Sequence, residues 1–136
     1  MTTLFGQEHV DRYQATDGAE GHDWRNGTSI LLLTTTGRKS GKQYTTPLIY
    51  GLDGGNPVIV ASQGGTPDNP DWYENLVVHP HVDVQIKGEK FHAHPRTAEG
   101  EERERLWRLM AAEWPDYDEY QKKTDRVIPV VVLERH

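Results

Sequence analysis

The order of apolar and polar positions along the chain predicts six β-strands and three or four short helices. Apolar or β-branched runs between turn-forming residues predict strands at residues 29–36, 43–52, 57–62, 82–87, 90–97 and 128–133. Apolar residues at helical spacing predict helices at 8–17, 70–79 and 98–113, with a short helical or irregular piece at 116–123. Hairpins outnumber βαβ units in this order. We therefore expect a mainly β (α+β) fold, a small barrel with helices packed outside, rather than a Rossmann sheet.

The second predicted helix has clear end signals and one unusual interior residue. Asn69 or Asp71 is expected to cap its start, and Pro80 ends it. Trp72 is expected to pack in the core, whereas Asn75 is a polar side chain in the middle of the helix.

Length and composition restrict the class of protein. The 136 residues fit one domain, with residues 1–27 as an N-terminal helical and loop segment. The lack of cysteine excludes disulfides and thiolate chemistry and fits the cytoplasm. No apolar run is long enough to cross a bilayer, and residues 1–10 lack the regions of a signal peptide. A net charge of −6 argues against broad nucleic-acid binding.

The turn after the first strand is rich in cations and hydroxyl groups. The stretch Thr-Thr-Thr-Gly-Arg-Lys-Ser-Gly-Lys places Arg38, Lys39 and Lys42 close together, beside Ser40. No acidic residue occurs at positions 24–52, although the chain has 21 acidic and 15 basic residues. Such a turn suits a phosphate or carboxylate ligand. An ordinary soluble hairpin loop explains the isolated motif equally well, and the spacing is not that of a Walker A loop.

Two further segments contain candidate residues. Ala61, Ser62 and the glycines that follow would let a planar ligand approach the backbone closely, although an ordinary glycine loop is the simpler interpretation. Trp114, Tyr117 and Tyr120 follow the end of a helix, where they could form a lid over the core or a substrate wall. Tyrosine hydroxyls in such a wall can donate a hydrogen bond to a carbonyl or nitro oxygen.

The histidines and carboxylates form no recognisable metal or hydrolase motif. His92 and His94 lie two apart on one predicted strand, and His79 and His81 flank a proline, but an HExxH pattern is absent. The GxSxG motif and a paired acid/base couple are absent as well. A metal site is therefore not expected.

Six stretches occur in one order along the chain: TTTGRKSG at 34–41, TPL at 46–48, VASQGG at 60–65, NPDWYENL at 69–76, YDEYQ at 117–121 and TDRVIPV at 124–130. Together they resemble the deazaflavin-dependent nitroreductase family. The resemblance spans roughly residues 28–135 and extends weakly into the segment from His9 to Trp24.

The resemblance implies a fold, a cofactor and a reaction. The fold would be a split β-barrel, similar to flavin reductases and pyridoxamine oxidases, with an antiparallel Greek-key barrel and short flanking helices. The cofactor would be coenzyme F420, an 8-hydroxy-5-deazaflavin with a phosphate and an acidic glutamate tail. Reduced F420 would pass a hydride from its C5 carbon to a quinone, a nitroaromatic or an activated enone.

The resemblance also implies roles for individual residues. The cofactor-binding positions would be Arg38, Lys39, Ser40, Lys42, Pro47, Ala61, Ser62, Gln63, Trp72 and Asn75. The substrate-facing positions would be Trp114, Tyr117 and Tyr120, and the proton could come from Ser62, Tyr117, Tyr120 or water. Gln63 stands where the family often has Lys, and Trp114 stands where it often has Tyr.

Two alternative functions remain open from the sequence. The same barrel could be a flavin mononucleotide reductase whose turn binds that cofactor's phosphate, or a non-catalytic carrier of a deazaflavin. Since no apolar N-terminal anchor is evident, we expect a cytoplasmic protein, with peripheral membrane association as the alternative. The oligomeric state and the physiological acceptor do not follow from the sequence.

Overall fold

The computed structural model describes residues 6–135, which form a closed six-stranded antiparallel β-barrel flanked by four α-helices. The strands are β1 (Ser29–Thr36), β2 (Gln43–Asp53), β3 (Asn56–Val60), β4 (Val82–Ile86), β5 (Glu89–Thr97) and β6 (Val130–Arg135). The helices are α1 (Gly6–Thr16), α2 (Asp71–Val78), α3 (Gly100–Glu113) and α4 (Asp116–Lys122). The six predicted strands and the four predicted helical segments are thereby confirmed.

The strand order around the barrel is β1-β2-β3-β6-β5-β4. Successive hairpins join β1, β2 and β3, and β4 returns after a long connection to pair with β1, which makes a Greek key. The strand β6 then closes the barrel between β3 and β5. This arrangement confirms the expected Greek-key barrel.

Three groups of apolar side chains hold the layers together. The barrel interior contains residues from all six strands, and Trp72 and Leu76 of α2 pack against them. The helices α3 and α4 cover the outer face of β3 and β6, where Leu106 and Met110 are fully buried. The helix α1 covers the outer face of β1 through Val10 and its neighbours. The helices therefore lie on the barrel, as the pattern predicts, and α1 is part of the packed domain.

One expectation about α2 is wrong. Neither Asn69 nor Asp71 caps the helix, because Pro70 occupies the N-cap position and no side-chain cap hydrogen bond forms there. The Asn69 side-chain oxygen instead accepts a hydrogen bond from Arg126, 57 residues away, at 2.8 Å. The Asn69 side chain therefore makes a tertiary contact rather than a capping one.

Residues 6–135 contain no helix that is long and apolar enough to span a membrane. Within the same range, no group of three or more potential metal-ligating side chains comes together. His92 pairs with Asp83 on the neighbouring strand.

Candidate functional site

Two adjoining cavities are both lined by residues of β2 and α2. The first, which we name the aromatic cavity, has a volume of about 570 Å³ and is lined by five aromatic side chains: Trp24, Trp72, Trp114, Tyr117 and Tyr120. The second, the turn cavity, has about 440 Å³ and lies at the β1–β2 turn; Arg38, Lys39, Ser40 and Asn75 line it. Thr46, Asp71 and Trp72 line both. The two cavities are therefore neighbours that share one wall.

The aromatic cavity has a wall of contacting rings. The Trp114 ring lies 5.8 Å from that of Trp24, and its Nε1 donates a hydrogen bond to the Tyr120 hydroxyl at 3.3 Å. The rings of Tyr117 and Tyr120 are 6.2 Å apart at 72°. Flat side chains in this arrangement suit a flat, conjugated ligand.

Tyr117 is the buried member of this wall. Burial raises the pKa of its phenol, and the nearby Tyr120 raises it further. The hydroxyl therefore stays protonated at neutral pH and can donate a hydrogen bond. Trp114 and Tyr120 are half-buried, so the wall is partly exposed at those two residues and buried at Tyr117.

Asn75 explains how the turn cavity is fixed. Its buried side-chain oxygen accepts a hydrogen bond from the Arg38 backbone N–H at 3.1 Å and from the Arg38 guanidinium at 2.8 Å. The guanidinium also pairs with the Asp71 carboxylate at 3.3 Å. The helix α2 thus anchors the basic turn, and the polar residue in the middle of the helix has a specific partner.

The turn leaves several donors available. The N–H groups of Gly37, Gly41 and Lys42 are bonded within the turn, to Lys42 O, Gly37 O and Ser40 Oγ. Those of Lys39 and Ser40 have no acceptor among residues 6–135. The buried Thr35 hydroxyl, in the wall of the turn cavity, likewise has no partner in this part of the chain. Unpaired donors beside cations are suited to an anionic ligand.

Two predicted cofactor residues lie outside the cavity linings. Lys42 is exposed, and only its backbone takes part in the turn. Ala61 is fully buried beneath the loop, and its carbonyl accepts a hydrogen bond from Arg126 at 3.1 Å. Pro47, Ser62 and Gln63 do line the aromatic cavity. The Gln63 side-chain amide donates to Thr66 Oγ1 at 2.9 Å, so it is engaged within its own loop.

Arg126 holds the loop that follows β3. It donates hydrogen bonds to the Ser62 carbonyl at 2.6 Å, to the Thr66 carbonyl at 2.9 Å and to Asn69 Oδ1 at 2.8 Å. Burial lowers the pKa of Arg126, yet an arginine keeps its charge in any case. In the sequence, Arg126 lies in one of the six matching stretches, but no role was predicted for it. The signal for a structural role was its position next to a predicted buried strand.

The N-terminal segment contributes residues that sequence reasoning missed. His9 of α1 and Trp24 line the aromatic cavity, with ring centroids 6.4 Å apart. His9 is 2% exposed, and its Nε2 lies 2.8 Å from the Gly21 carbonyl oxygen. The weak match around these positions was the only sequence signal.

Comparisons with known proteins agree in both sequence and fold. The family model described as F420H(2)-dependent quinone reductase matches residues 5–135. An F420H(2)-dependent quinone reductase of Mycobacterium tuberculosis strain H37Rv is 40% identical over 130 residues, which cover 93% of this chain and 87% of that protein.

Solved structures give the same result. An F420-H2 dependent reductase (FDR-A) superposes with a TM-score of 0.72 at 46% identity, covering 77% of this chain and 93% of that one. A domain-swapped dimer superposes with a TM-score of 0.75 at 42% identity, covering 94% and 96%. A Listeria innocua protein named for pyridoxamine 5′-phosphate oxidase, with a TM-score of 0.55 at 14% identity and coverage of 93% and 92%, shares the fold alone. The split β-barrel is confirmed.

Proposed function

Since the chain belongs to the F420H(2)-dependent quinone reductase family, we propose that the deazaflavin ring of F420 lies in its aromatic cavity and the F420 phosphate in its turn cavity. Membership makes the protein an F420-dependent reductase, with F420 as its cofactor. When bound, reduced F420 supplies a hydride from its C5 carbon.

The shared wall of the two cavities is the observation that supports this placement best. F420 joins a flat ring system to a phosphate through a short chain, so it needs a flat cavity next to an anion site. Thr46, Asp71 and Trp72 border both cavities, which places the aromatic and the cationic linings side by side. The residues present therefore fit the cofactor.

At the turn, the phosphate would be held by Lys39, Ser40 and the two N–H groups that have no acceptor in the described chain. Arg38, held by Asn75, would add a guanidinium once the exposed Asp71 carboxylate turns away. Hydrogen bonds to charged groups contribute about 1.5–3 kcal/mol each, so three such bonds contribute about 4.5–9 kcal/mol, and the upper end of this range corresponds to micromolar affinity. Lys42 would act only through its charge.

Around the ring, Pro47, Ser62, Gln63 and Trp72 would contact the cofactor, with Ala61 supporting the loop from below. Hydride transfer depends on a positioned donor and a positioned acceptor. Trp114, Tyr117 and Tyr120 would hold the acceptor, and the hydroxyls of Tyr117, Tyr120 and Ser62 would donate hydrogen bonds to its oxygen atoms.

The range of acceptors goes beyond the family name. A wall of flat rings with hydroxyl donors recognises any planar conjugated acceptor that carries an oxygen. We therefore include nitroaromatics and activated enones with quinones as substrates. Quinones combine a flat ring with two acceptor oxygens and fit this wall best.

A titration with F420, followed by fluorescence, tests the proposal. The shared wall offers a matched pair of variants: Thr46→Trp narrows the junction of the cavities, whereas Thr45 lies outside both linings and Thr45→Trp is the control. We expect Thr46→Trp to weaken F420 binding at least about tenfold, a loss of about 1.4 kcal/mol, and Thr45→Trp to retain it. Equal affinity of both variants would contradict the placement.

Turnover separates the remaining alternatives. Reduced F420 should be oxidised by menadione in the presence of the protein, and a nitroaromatic and an enone should follow at lower rates. Tight F420 binding without oxidation by any acceptor would indicate a carrier, and preferential binding of flavin mononucleotide in a parallel titration would indicate a flavin reductase.

A further inference from the structure

His9 is a buried imidazole in the wall of the aromatic cavity that the steps proposed above do not use. Its Nε2 lies 2.8 Å from the Gly21 carbonyl oxygen. A carbonyl oxygen can only accept a hydrogen bond, so Nε2 carries a proton. The remaining ring nitrogen, Nδ1, therefore decides what His9 can do.

The packing around Gly21 shows which edge of the His9 imidazole is covered. A Cβ atom on Gly21 would lie 3.0 Å from Cδ2 and 3.2 Å from Nε2 of His9, so this edge packs against the loop backbone. Nδ1 belongs to the opposite edge of the ring, and His9 also lines the aromatic cavity. Neutral His9 offers an acceptor there, and protonated His9 offers a donor.

His9 and the ring wall line the same cavity. The Trp24 ring lies 6.4 Å from that of His9 and 5.8 Å from that of Trp114. Trp114 Nε1 in turn donates a hydrogen bond to the Tyr120 hydroxyl. A bicyclic quinone lying along this wall would extend from the tyrosine hydroxyls toward the imidazole.

We propose, on the basis of the function proposed above, that His9 contacts an oxygen of the bound quinone through Nδ1 and donates the proton that completes the hydroquinone. When bound, reduced F420 would supply the hydride, and the quinone that accepts it would become a hydroquinone anion. The imidazolium N–H bond breaks as the new O–H bond forms, which leaves neutral His9 accepting a hydrogen bond from the product. Solvent then restores the proton of His9. The reduced cofactor loses one proton as well as the hydride, and this released proton balances the one that His9 takes from solvent.

Other titratable groups share this environment. Asp71 of α2 and Tyr117 and Tyr120 of α4 line the same cavity. Tyr13, next to Gly21, and Arg25, 5.2 Å above the Trp24 ring, lie on the N-terminal side. Variants of His9 itself are therefore needed to attribute the pH dependence of the reaction to His9.

Two substitutions distinguish the roles of the two ring nitrogens of His9. His9→Gln can still donate to the Gly21 carbonyl from its terminal amide but has no group at the Nδ1 position. His9→Asn places an amide atom near the Nδ1 position but is too short for the Gly21 contact. His22→Gln is the matched control, because His22 is also buried but lies outside the cavity linings.

A binding measurement tests the contact without turnover. A naphthol is a stable analogue of the hydroquinone product, and its methyl ether lacks the hydroxyl donor. Tryptophan fluorescence, with Trp24 and Trp114 in the cavity wall, reports binding. We expect the wild-type protein to prefer the naphthol by about three- to tenfold, as one neutral hydrogen bond provides. His9→Gln should lose this preference, whereas His9→Asn and His22→Gln should keep it.

Kinetics test the proton. His9→Gln should slow oxidation of reduced F420 by menadione at least about a hundredfold, the usual contribution of a general acid. The loss should shrink with a dichlorinated naphthoquinone, whose hydroquinone is more acidic and needs the proton less. If His9 supplies the proton, we expect the wild-type rate to fall as pH rises, and this fall should disappear in His9→Gln and persist in His22→Gln.

Each result decides one question. An unchanged naphthol preference in His9→Gln, or an equal loss of rate with both quinones, overturns the role of His9 while wild-type turnover still supports the proposed function. If the wild-type protein prefers the naphthol through His9 but oxidises reduced F420 with no quinone, the contact stands and the proposed function fails.

Discussion

The side-chain oxygen of Asn75 accepts two hydrogen bonds from Arg38, one from the backbone N–H at 3.1 Å and one from the guanidinium at 2.8 Å. This contact joins the middle of α2 to the turn between β1 and β2. Asn75 is 4% exposed, so its side-chain oxygen is shielded from water, and a shielded polar group without a partner is destabilising. One buried amide thus links the stability of the fold to the shape of the proposed phosphate site.

Substitution of Asn75 should separate these two effects. Asn75→Ala leaves the Arg38 N–H without its partner, and we expect it to lower the free energy of unfolding by about 1–3 kcal/mol and to weaken F420 binding. Asn75→Asp keeps an oxygen for Arg38 but adds a negative charge beside the proposed phosphate site. It should unfold at nearly the wild-type denaturant concentration yet bind F420 weakly. Equal affinity of Asn75→Asp and wild type would place the phosphate elsewhere.

The pairing of Arg38 with Asn75 also shows where sequence reasoning reached its limit. The strand at 29–36 was predicted with its observed bounds, because an apolar β-branched run between turns has one simple interpretation. A hydrogen bond between residues 37 positions apart leaves no periodic signal. The same holds for His9, which enters the cavity only because α1 packs on β1.

The wrong cap prediction has the same physical origin. Asn69 is of a residue type common at helix caps, but Pro70 takes the N-cap position, and the Asn69 oxygen accepts a hydrogen bond from Arg126. Local rules describe competition between a side chain and its nearest backbone groups. These local rules do not account for a hydrogen bond from a guanidinium that is distant in the sequence. The candidate site was therefore predicted as separate segments, and the contacts that join them came from the structure.

Two lysines of the same turn give a direct test of the phosphate position. Lys39 lines the turn cavity and Lys42 does not, although both carry one positive charge. We expect Lys39→Ala to weaken F420 binding about tenfold, by the loss of one charge-assisted hydrogen bond. Lys42→Ala should weaken it less, and its effect should vanish at high salt because only screened, long-range attraction is lost. Titrations at two salt concentrations measure both, and a larger effect of Lys42→Ala would reverse the assignment.

Gly65 should control the approach of α4 to the cavity. Its φ is +81°, and a Cβ atom there would collide with the carbonyl of Tyr120. Gly65→Ala therefore adds a backbone clash to the strain of a left-handed conformation, which by itself costs about 1–2 kcal/mol. Gly54→Ala is the control, since Gly54 has a φ of +59° with nothing near its Cβ position.

Denaturation curves should show a clearly greater loss for Gly65→Ala than for Gly54→Ala. Menadione turnover should fall in the Gly65 variant alone, because displacement of α4 moves Tyr120 in the proposed substrate wall. If both variants lose the same stability, the backbone contact is not maintained in solution.

We expect the loop between β3 and α2 to depend on Arg126 itself. Even a lysine, which keeps the positive charge, should not replace it. The guanidinium donates to the Ser62 and Thr66 carbonyls and to Asn69 Oδ1 in different directions, a pattern that one ammonium group does not reproduce. We expect Arg126→Lys to lower the free energy of unfolding by about 2–4 kcal/mol, from the loss of several hydrogen bonds of about 1 kcal/mol each. Arg108→Lys, at an exposed position on α3, should change it little. Hydrogen exchange at residues 62–69 should rise in Arg126→Lys alone, and protection equal to wild type would show that the loop is held by other contacts.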